Sequence, residues 1–302
     1  MFNKLIIGML PLMPKKLVYV FAKKYIAGPK LDDAVRCTQE LEKQGGRTTI
    51  DVLGEFVTTK EQSLHERDIC LQVVNAVHEH KLPSYLSIKL TALGLDVDPD
   101  FCYDNVRQIC QLAKEKDVFI RLDMENVPYT QQTIDMYKRL KDEDFHNVGI
   151  VFQAYLKRTE DDIRSLLPYK PNIRLCKGIY NESPEVAYKD REKIRDQYKL
   201  LLNILLDDIS NGTYANIATH DEPLIQYAEG QVKQRGLTKD QYQFEMLLGV
   251  REERRSKLLK DGHNLCVYTP FGDDWYGYST RRLKENPKMA GHIVKAIFGF
   301  GK

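Results

Sequence analysis

Near the C-terminal end of the chain, the stretch YSTRRLKENP, Tyr278 to Pro287, sets two adjacent arginines between a tyrosine and a glutamate. On a helix Tyr278 and Arg282 are four residues apart, as are Arg281 and Glu285, so each pair meets along its own side and Glu285 can hold Arg281 in place. Adjacent arginines diverge by about 100° around a helix, yet both can fold toward one carboxylate lying over that turn and grip it with fork-shaped donors. The chemistry on offer is recognition of a small carboxylate. An exposed charged helix face of Arg281, Arg282 and Lys284 would read the same way, so the motif needs company from other elements.

Other chemistries find less support. The seven histidines offer no HxxxH, and His78 and His80, on either side of Glu79, would point to different sides of a helix, so no metal site is expected. Nucleophilic hydrolysis lacks a GxSxG elbow or an evident pairing of Cys with His. A lysine at a strand end, Lys89 or Lys177, could form a Schiff base if neighbouring cations lowered its pKa, which keeps a lyase as the alternative.

Composition narrows the field further. The 302 residues are 42% hydrophobic, enough to bury one sizeable core or two small ones. A net charge of only +2, with acids and bases mixed along the chain, argues against a nucleic-acid partner. The six cysteines (Cys37, Cys70, Cys102, Cys110, Cys176 and Cys266) form no CxxC pair and follow no cleavable secretory signal, so reduced thiols in a cytoplasmic protein are expected. The N-terminal stretch MFNKLIIGMLPLMPKKLVYVFAKKYIAG is apolar and basic, but Pro11, Pro14 and paired lysines keep it short of the roughly 18 apolar residues of a spanning helix. Leu17, Val20, Phe21 and Tyr25 share one helical face with Lys15, Lys16, Lys23 and Lys24 around it. That face suits either packing on the domain behind it or resting on an anionic bilayer surface.

Candidate groups must be positioned by something, and from Thr48 onward a rhythm of elements supplies it. Eight short β-rich runs, TTIDVLG, YLSIKL, VFIRLDM, VGIVFQA, NIRLCKG, ANIATH, YQFEMLLG and NLCVYTP, alternate with longer polar segments. Leu64 to His80, Phe101 to Lys116, Thr130 to Leu140, Ser183 to Leu206 and Glu222 to Arg235 have helical period. Eight alternations predict a parallel (β/α)8 barrel over 47–302, preceded by a helical arm over 1–46. A doubly wound sheet would bring a glycine-rich first turn, and no GxGxxG occurs.

In such a barrel, catalytic groups stand at the C-terminal ends of the strands. Strand two ends on Lys89, three on Asp123, four on Gln153, five on Arg174 and Lys177, and six on Thr219 and His220; seven carries Glu245 and eight reaches Tyr268. Any one of these fits a solvated cap. Together they would cost several kcal/mol each to bury near one axis unless a ligand or partner charge compensated. With Arg281 and Arg282 the excess at the rim is positive, which suits an anion.

These residues carry a resemblance. SIKLTALGLD, RLDMEN, QAYLKRT, RLCKGIY, ATHD, FEMLLGVR, YTPFG and YSTRRLKENP, in order over roughly residues 47 to 290, resemble flavin-dependent proline dehydrogenase of the monofunctional bacterial type. The resemblance implies a distorted (β/α)8 barrel holding FAD across the strand ends and oxidising L-proline to Δ1-pyrroline-5-carboxylate by hydride transfer to flavin N5. It implies that Arg281, Arg282 and Lys89 bind the substrate carboxylate, with Glu285 in support, and that Tyr268, Tyr278 and Leu248 enclose the proline ring. It places Arg174 beside flavin N5 and Met124, Gln153, Lys177, Gly178, Ile179, Thr219 and His220 at cofactor-contacting positions, with Asp123 and Arg174 as catalytic. Asp221 stands where the family commonly has Asn, and Ile179 where it has Ala. A membrane quinone is implied as electron acceptor, with peripheral contact at the inner face of the cytoplasmic membrane, and an aldehyde dehydrogenase as a partner. A membrane-associated barrel used only for binding is the third reading.

Overall fold

Alternation along the strands decides where the core sits. The computed structural model describes Tyr19 and residues 22 to 278, and in it eight parallel strands close in sequence order: β1 (Arg47–Val52), β2 (Ser84–Ile88), β3 (Ile120–Leu122), β4 (Val148–Gln153), β5 (Asn172–Cys176), β6 (Tyr214–Ala218), β7 (Tyr242–Leu247) and β8 (Leu265–Phe271). Pairing of β1 with β8 shuts the barrel, Thr49 lying against Tyr268 and Asp51 against Pro270. The expected (β/α)8 barrel is therefore present.

The helices that wrap it are α1 (Leu31–Glu42), α2 (Lys60–Glu79), α3 (Pro99–Glu115), α4 (Val127–Asp142), α5 (Thr159–Leu166), α6 (Arg191–Asp207), α7 (Glu222–Gln234) and α8 (Glu252–Lys260). Helix α1, inside the segment expected as an arm, packs on β1 and β8. Side-chain caps fix several starts: Thr59 and Gln62 form a capping box on α2, Asp98 caps α3 ahead of Pro99, and Asp190 caps α6. The cap at Asp190 explains why α6 begins at Arg191 and not at Ser183. Among the described residues no helix is long and apolar enough to cross a membrane, and all six cysteines are free.

Successive strand residues face opposite ways. Leu86, Ile88, Ile120, Leu122, Ile173, Leu175, Ile217, Phe244 and Met246 turn outward into the shell between strands and helices, which is the hydrophobic core. The lumen is polar. Arg121 lies on its floor, 1% exposed, and donates from Nη1 to the Asn172 carbonyl and from Nη2 to Asn172 Oδ1, both at 2.6 Å. The rings of Tyr85 and Phe119 flank its guanidinium. Room for it depends on Gly149, where a Cβ would come within 2.4 Å of Arg121 Nη1.

At the N-terminal end, Ala22, Ile26 and Leu53 form a small cluster against which Tyr19, Trp275 and Tyr278 pack. Tyr25 is 3% exposed. Protein thus covers this part of the amphipathic face that was also read as a bilayer contact. Leu17, Val20, Phe21, Lys15 and Lys16 lie outside the described residues.

Candidate active site

All eight strands bring a polar side chain to the lumen or its C-terminal mouth, and the centre is Arg174 of β5. Its Nη1 donates to Asp123 Oδ1 (2.8 Å) and to Ser87 Oγ (3.1 Å), and its Nη2 to Tyr85 OH (3.4 Å). Glu245 Oε2 of β7 lies 2.5 Å from Nε. Burial works against the guanidinium's charge, but Glu245, Tyr85 and Asp123 outweigh it and hold its pKa well above the ordinary value. Tyr268 donates to the other oxygen of Asp123 (2.7 Å) and sets its ring 5.3 Å from Arg174. Burial, then Asp123 and Asp51, push the Tyr268 phenol far up, so it stays a donor.

Lys89, just past β2, forms a short ion pair with Asp51 of β1, whose side chain is almost wholly buried. Burial lowers the Lys89 pKa, yet Asp51, Asp123 and Glu55 together raise it above the normal range. This sign removes the lyase alternative at Lys89, because a Schiff-base lysine needs its amine freed and not locked as ammonium. Burial raises Asp51 to about 6, against the pull of Lys89, and its Oδ2 has no hydrogen-bond partner among the described residues. Sequence reading gave Asp51 no role.

The remaining expected positions frame the mouth. Gln153 donates to the Glu125 carbonyl (2.9 Å) and accepts from Ile179 N (3.4 Å), so its amide ties the β3 and β5 loops together. Met124 is buried in the core cluster, and Ile179 is 53% exposed. Gly178 has φ +110°, and a Cβ on it would sit 2.1 Å from the Tyr155 ring, so no other residue fits that turn. Lys177 reaches Asp221 Oδ2 (2.8 Å), which Arg195 of α6 also clamps with two bonds. Burial would raise Asp221, but Arg195 and Lys177 win and bring it down to about 2. Thr219 Oγ1 accepts from Asp221 N (3.1 Å), and His220 Nε2 accepts from Leu247 N (2.9 Å), which leaves the His220 ring proton on Nδ1.

Gln243 and Glu245 point into the lumen, and Leu248, one residue past β7, packs against the core cluster and donates its N–H to the Tyr268 carbonyl (3.0 Å). Tyr278 packs on Ala22, Ile26 and Leu53. Arg281, Arg282 and Glu285 lie outside the described residues. Tyr180 was missed: burial, then the charges of Glu55 and Glu125, raise its phenol. Its signal was adjacency to Lys177, Gly178 and Ile179.

Glu125 supplies a test of how the mouth is charged. It is 1% exposed and accepts from Thr91 N (3.1 Å) and Thr91 Oγ1 (2.5 Å), yet burial raises it from 4.5 to about 7. A carboxyl with a raised folded pKa costs stability in full above that pKa and nothing below its unfolded value. At about 1.4 kcal/mol per pKa unit the cost at pH 8 is on the order of 3 kcal/mol. Glu125→Gln is therefore expected to raise the melting temperature at pH 8 and to lose nearly all of that gain by pH 4.5, as thermal unfolding at the two pH values will show.

Known proteins share this chain's sequence and architecture. The Proline dehydrogenase family profile matches residues 34–295. Proline dehydrogenase 2 of Bacillus subtilis is 38% identical over 278 residues, 92% of this chain and 90% of that one. Proline dehydrogenase of Deinococcus radiodurans is 34% identical over 289 residues, covering 94% and 92% of the two chains. Among solved structures, proline utilization A from Bdellovibrio bacteriovorus inactivated by N-propargylglycine superposes with a TM-score of 0.84 at 24% identity, covering 90% of this chain and 33% of that one.

Proposed function

The chain belongs to the proline dehydrogenase family, and from that premise we propose that it is an FAD enzyme that oxidises L-proline to Δ1-pyrroline-5-carboxylate and passes the electrons to a quinone, opening proline catabolism toward glutamate. The observation that supports this most is the buried cation Arg174, held between Asp123 and Glu245 at the end of the lumen where the strand C-termini gather. Its Nη1 hydrogens go to Asp123 and Ser87 and one from Nη2 to Tyr85, so one Nη2 N–H has no acceptor among the described residues. That donor, the Gln153 amide and the Lys177–Arg195 pair suit a group that combines a heteroaromatic acceptor ring with phosphates. By resemblance Met124, Gly178, Ile179, Thr219 and His220 complete the cofactor's surroundings. FAD, when bound, supplies an acceptor for the hydride that leaves proline C5.

The chain's own residues do the rest. By resemblance Lys89, Arg281 and Arg282 bind the substrate carboxylate, with Glu285 in support of Arg281. By resemblance Tyr268, Tyr278 and Leu248 enclose the ring. Surplus positive charge disfavours the ring ammonium, so the amine loses its proton before the C5–H bond breaks and the C=N bond forms. Fixing the carboxylate fixes which carbon faces the acceptor, and small misplacements in such a step are costly. Cations beside the cofactor also favour the negative charge it gains.

The electron acceptor and the location follow from the same resemblance: a quinone reached from the cytoplasmic face of the membrane, and an aldehyde dehydrogenase as consumer of the product. Quinone reduction that runs equally fast with and without anionic liposomes would remove the membrane part. For the reaction itself, purified protein is expected to be yellow, with a flavin spectrum that L-proline bleaches in the absence of oxygen. Colourless protein, or a flavin band indifferent to proline, contradicts the proposal.

A further inference from the structure

Arg174 is flanked by two carboxylates where one would neutralise it. Asp123, on the β3 side, is shared with Tyr268, while Glu245 reaches it from β7. Glu245 is 3% exposed and neither of its oxygens is idle. Oε1 accepts from Tyr85 OH (2.8 Å) and from Gln243 Nε2 (2.9 Å), and Oε2 lies 2.5 Å from Arg174 Nε. That last contact is off the line of the N–H, for Nε has no hydrogen-bond acceptor. Glu245 therefore holds Arg174 by charge more than by a directed bond.

The lumen beneath is arranged around this carboxylate. Gln243 Nε2 also donates to Asn216 Oδ1 (2.6 Å), Asn216 Nδ2 donates to Asn172 Oδ1 (2.6 Å), and that oxygen takes the guanidinium of Arg121. A second buried cation is thus coupled to Glu245 through three side-chain amides. In the lumen the charges balance as Arg121, Arg174 and Lys89 against Asp51, Asp123 and Glu245, all buried or nearly so. These side chains are buried, so removing one charge is felt by the next.

We propose that Glu245 is a positioning residue for the reaction: clamped by Tyr85 and Gln243, it fixes Arg174 from below and sets how much of that cation's charge reaches the cofactor. The inference rests on the flavin reading above. Glu245→Gln keeps the size and removes the charge, so Arg174 is less neutralised and the reduced cofactor, which carries extra negative charge, is favoured. The midpoint potential of the bound flavin is expected to rise by an amount equal to tenfold or more in the oxidation–reduction equilibrium, about 30 mV for a two-electron couple. Glu245→Asp keeps the charge and is expected within threefold of the unsubstituted protein. Tyr85→Phe keeps every charge but leaves Oε1 held by Gln243 alone; it is expected to slow flavin reduction at saturating proline about tenfold, with proline Kd and potential unmoved.

A merely structural glutamate would change melting temperature and leave the potential where it was. An unmoved potential in Glu245→Gln, or an equal shift in Glu245→Asp, overturns the inference. If Glu245→Gln does not fold, a full reduction rate in Tyr85→Phe overturns it instead. Unsubstituted protein that binds no flavin overturns the functional reading together with this inference, whereas flavin-loaded protein with an indifferent Glu245→Gln sinks this inference alone.

Discussion

Arg174→Met is expected to abolish proline-dependent flavin reduction and to destabilise the barrel by about 3–5 kcal/mol, because it leaves both Asp123 and Glu245 buried without their shared cation. Against a total stability of roughly 5–15 kcal/mol, that loss is large enough to show as a sharply lower melting temperature. Its pH dependence distinguishes the cause. Carboxyls stripped of a cation have folded pKa values above their unfolded ones, so their cost is complete at high pH and fades as pH falls toward the unfolded range. The stability deficit of Arg174→Met should shrink between pH 8 and pH 5, and the double variant Arg174→Met/Glu245→Gln should recover part of it at pH 8. A deficit constant with pH, as from a simple cavity, would argue against the two-carboxylate account.

Arg282→Met is expected to weaken proline binding by about 2–5 kcal/mol, as for other buried charge pairs truncated on one side. That corresponds to a Kd roughly 30- to 4,000-fold higher, read from an anaerobic titration of the flavin absorbance. Lys89→Met should weaken binding less, because the ammonium of Lys89 is already shared with Asp51. An Arg282→Met protein with unchanged proline Kd would show that the adjacent arginines belong to an exposed helix face.

How far sequence reaches can be followed residue by residue. All eight strands and their order were readable from β-rich runs separated by helical period, and so were Lys89, Asp123, Gln153, Arg174, Thr219, His220 and Tyr268, because strand ends normally carry no such density of polar groups. Helices α5 and α8 escaped because they are only 8 and 9 residues long, too short for a repeating apolar stripe to stand out. Asp51 was hidden inside an apolar run and shows its importance only through contact with Lys89 from the next strand. Arg121 shares the parity of Asp123 and could have been placed in the lumen on that ground. Glu245 was visible as the polar residue of its strand, but its partner stands 71 positions earlier, on β5, and only closure of the barrel brings the two together.

The central claim is that cations at one open rim grip an amino acid's carboxylate and thereby lay its ring against the hydride acceptor. A crystal structure of flavin-loaded protein with the proline analogue in which oxygen replaces the ring nitrogen tests it most directly. The account predicts the carboxylate on Lys89, Arg281 and Arg282 together, with the ring between Tyr268 and the flavin. Arginines turned out to solvent, or an analogue seated away from Lys89, would contradict it.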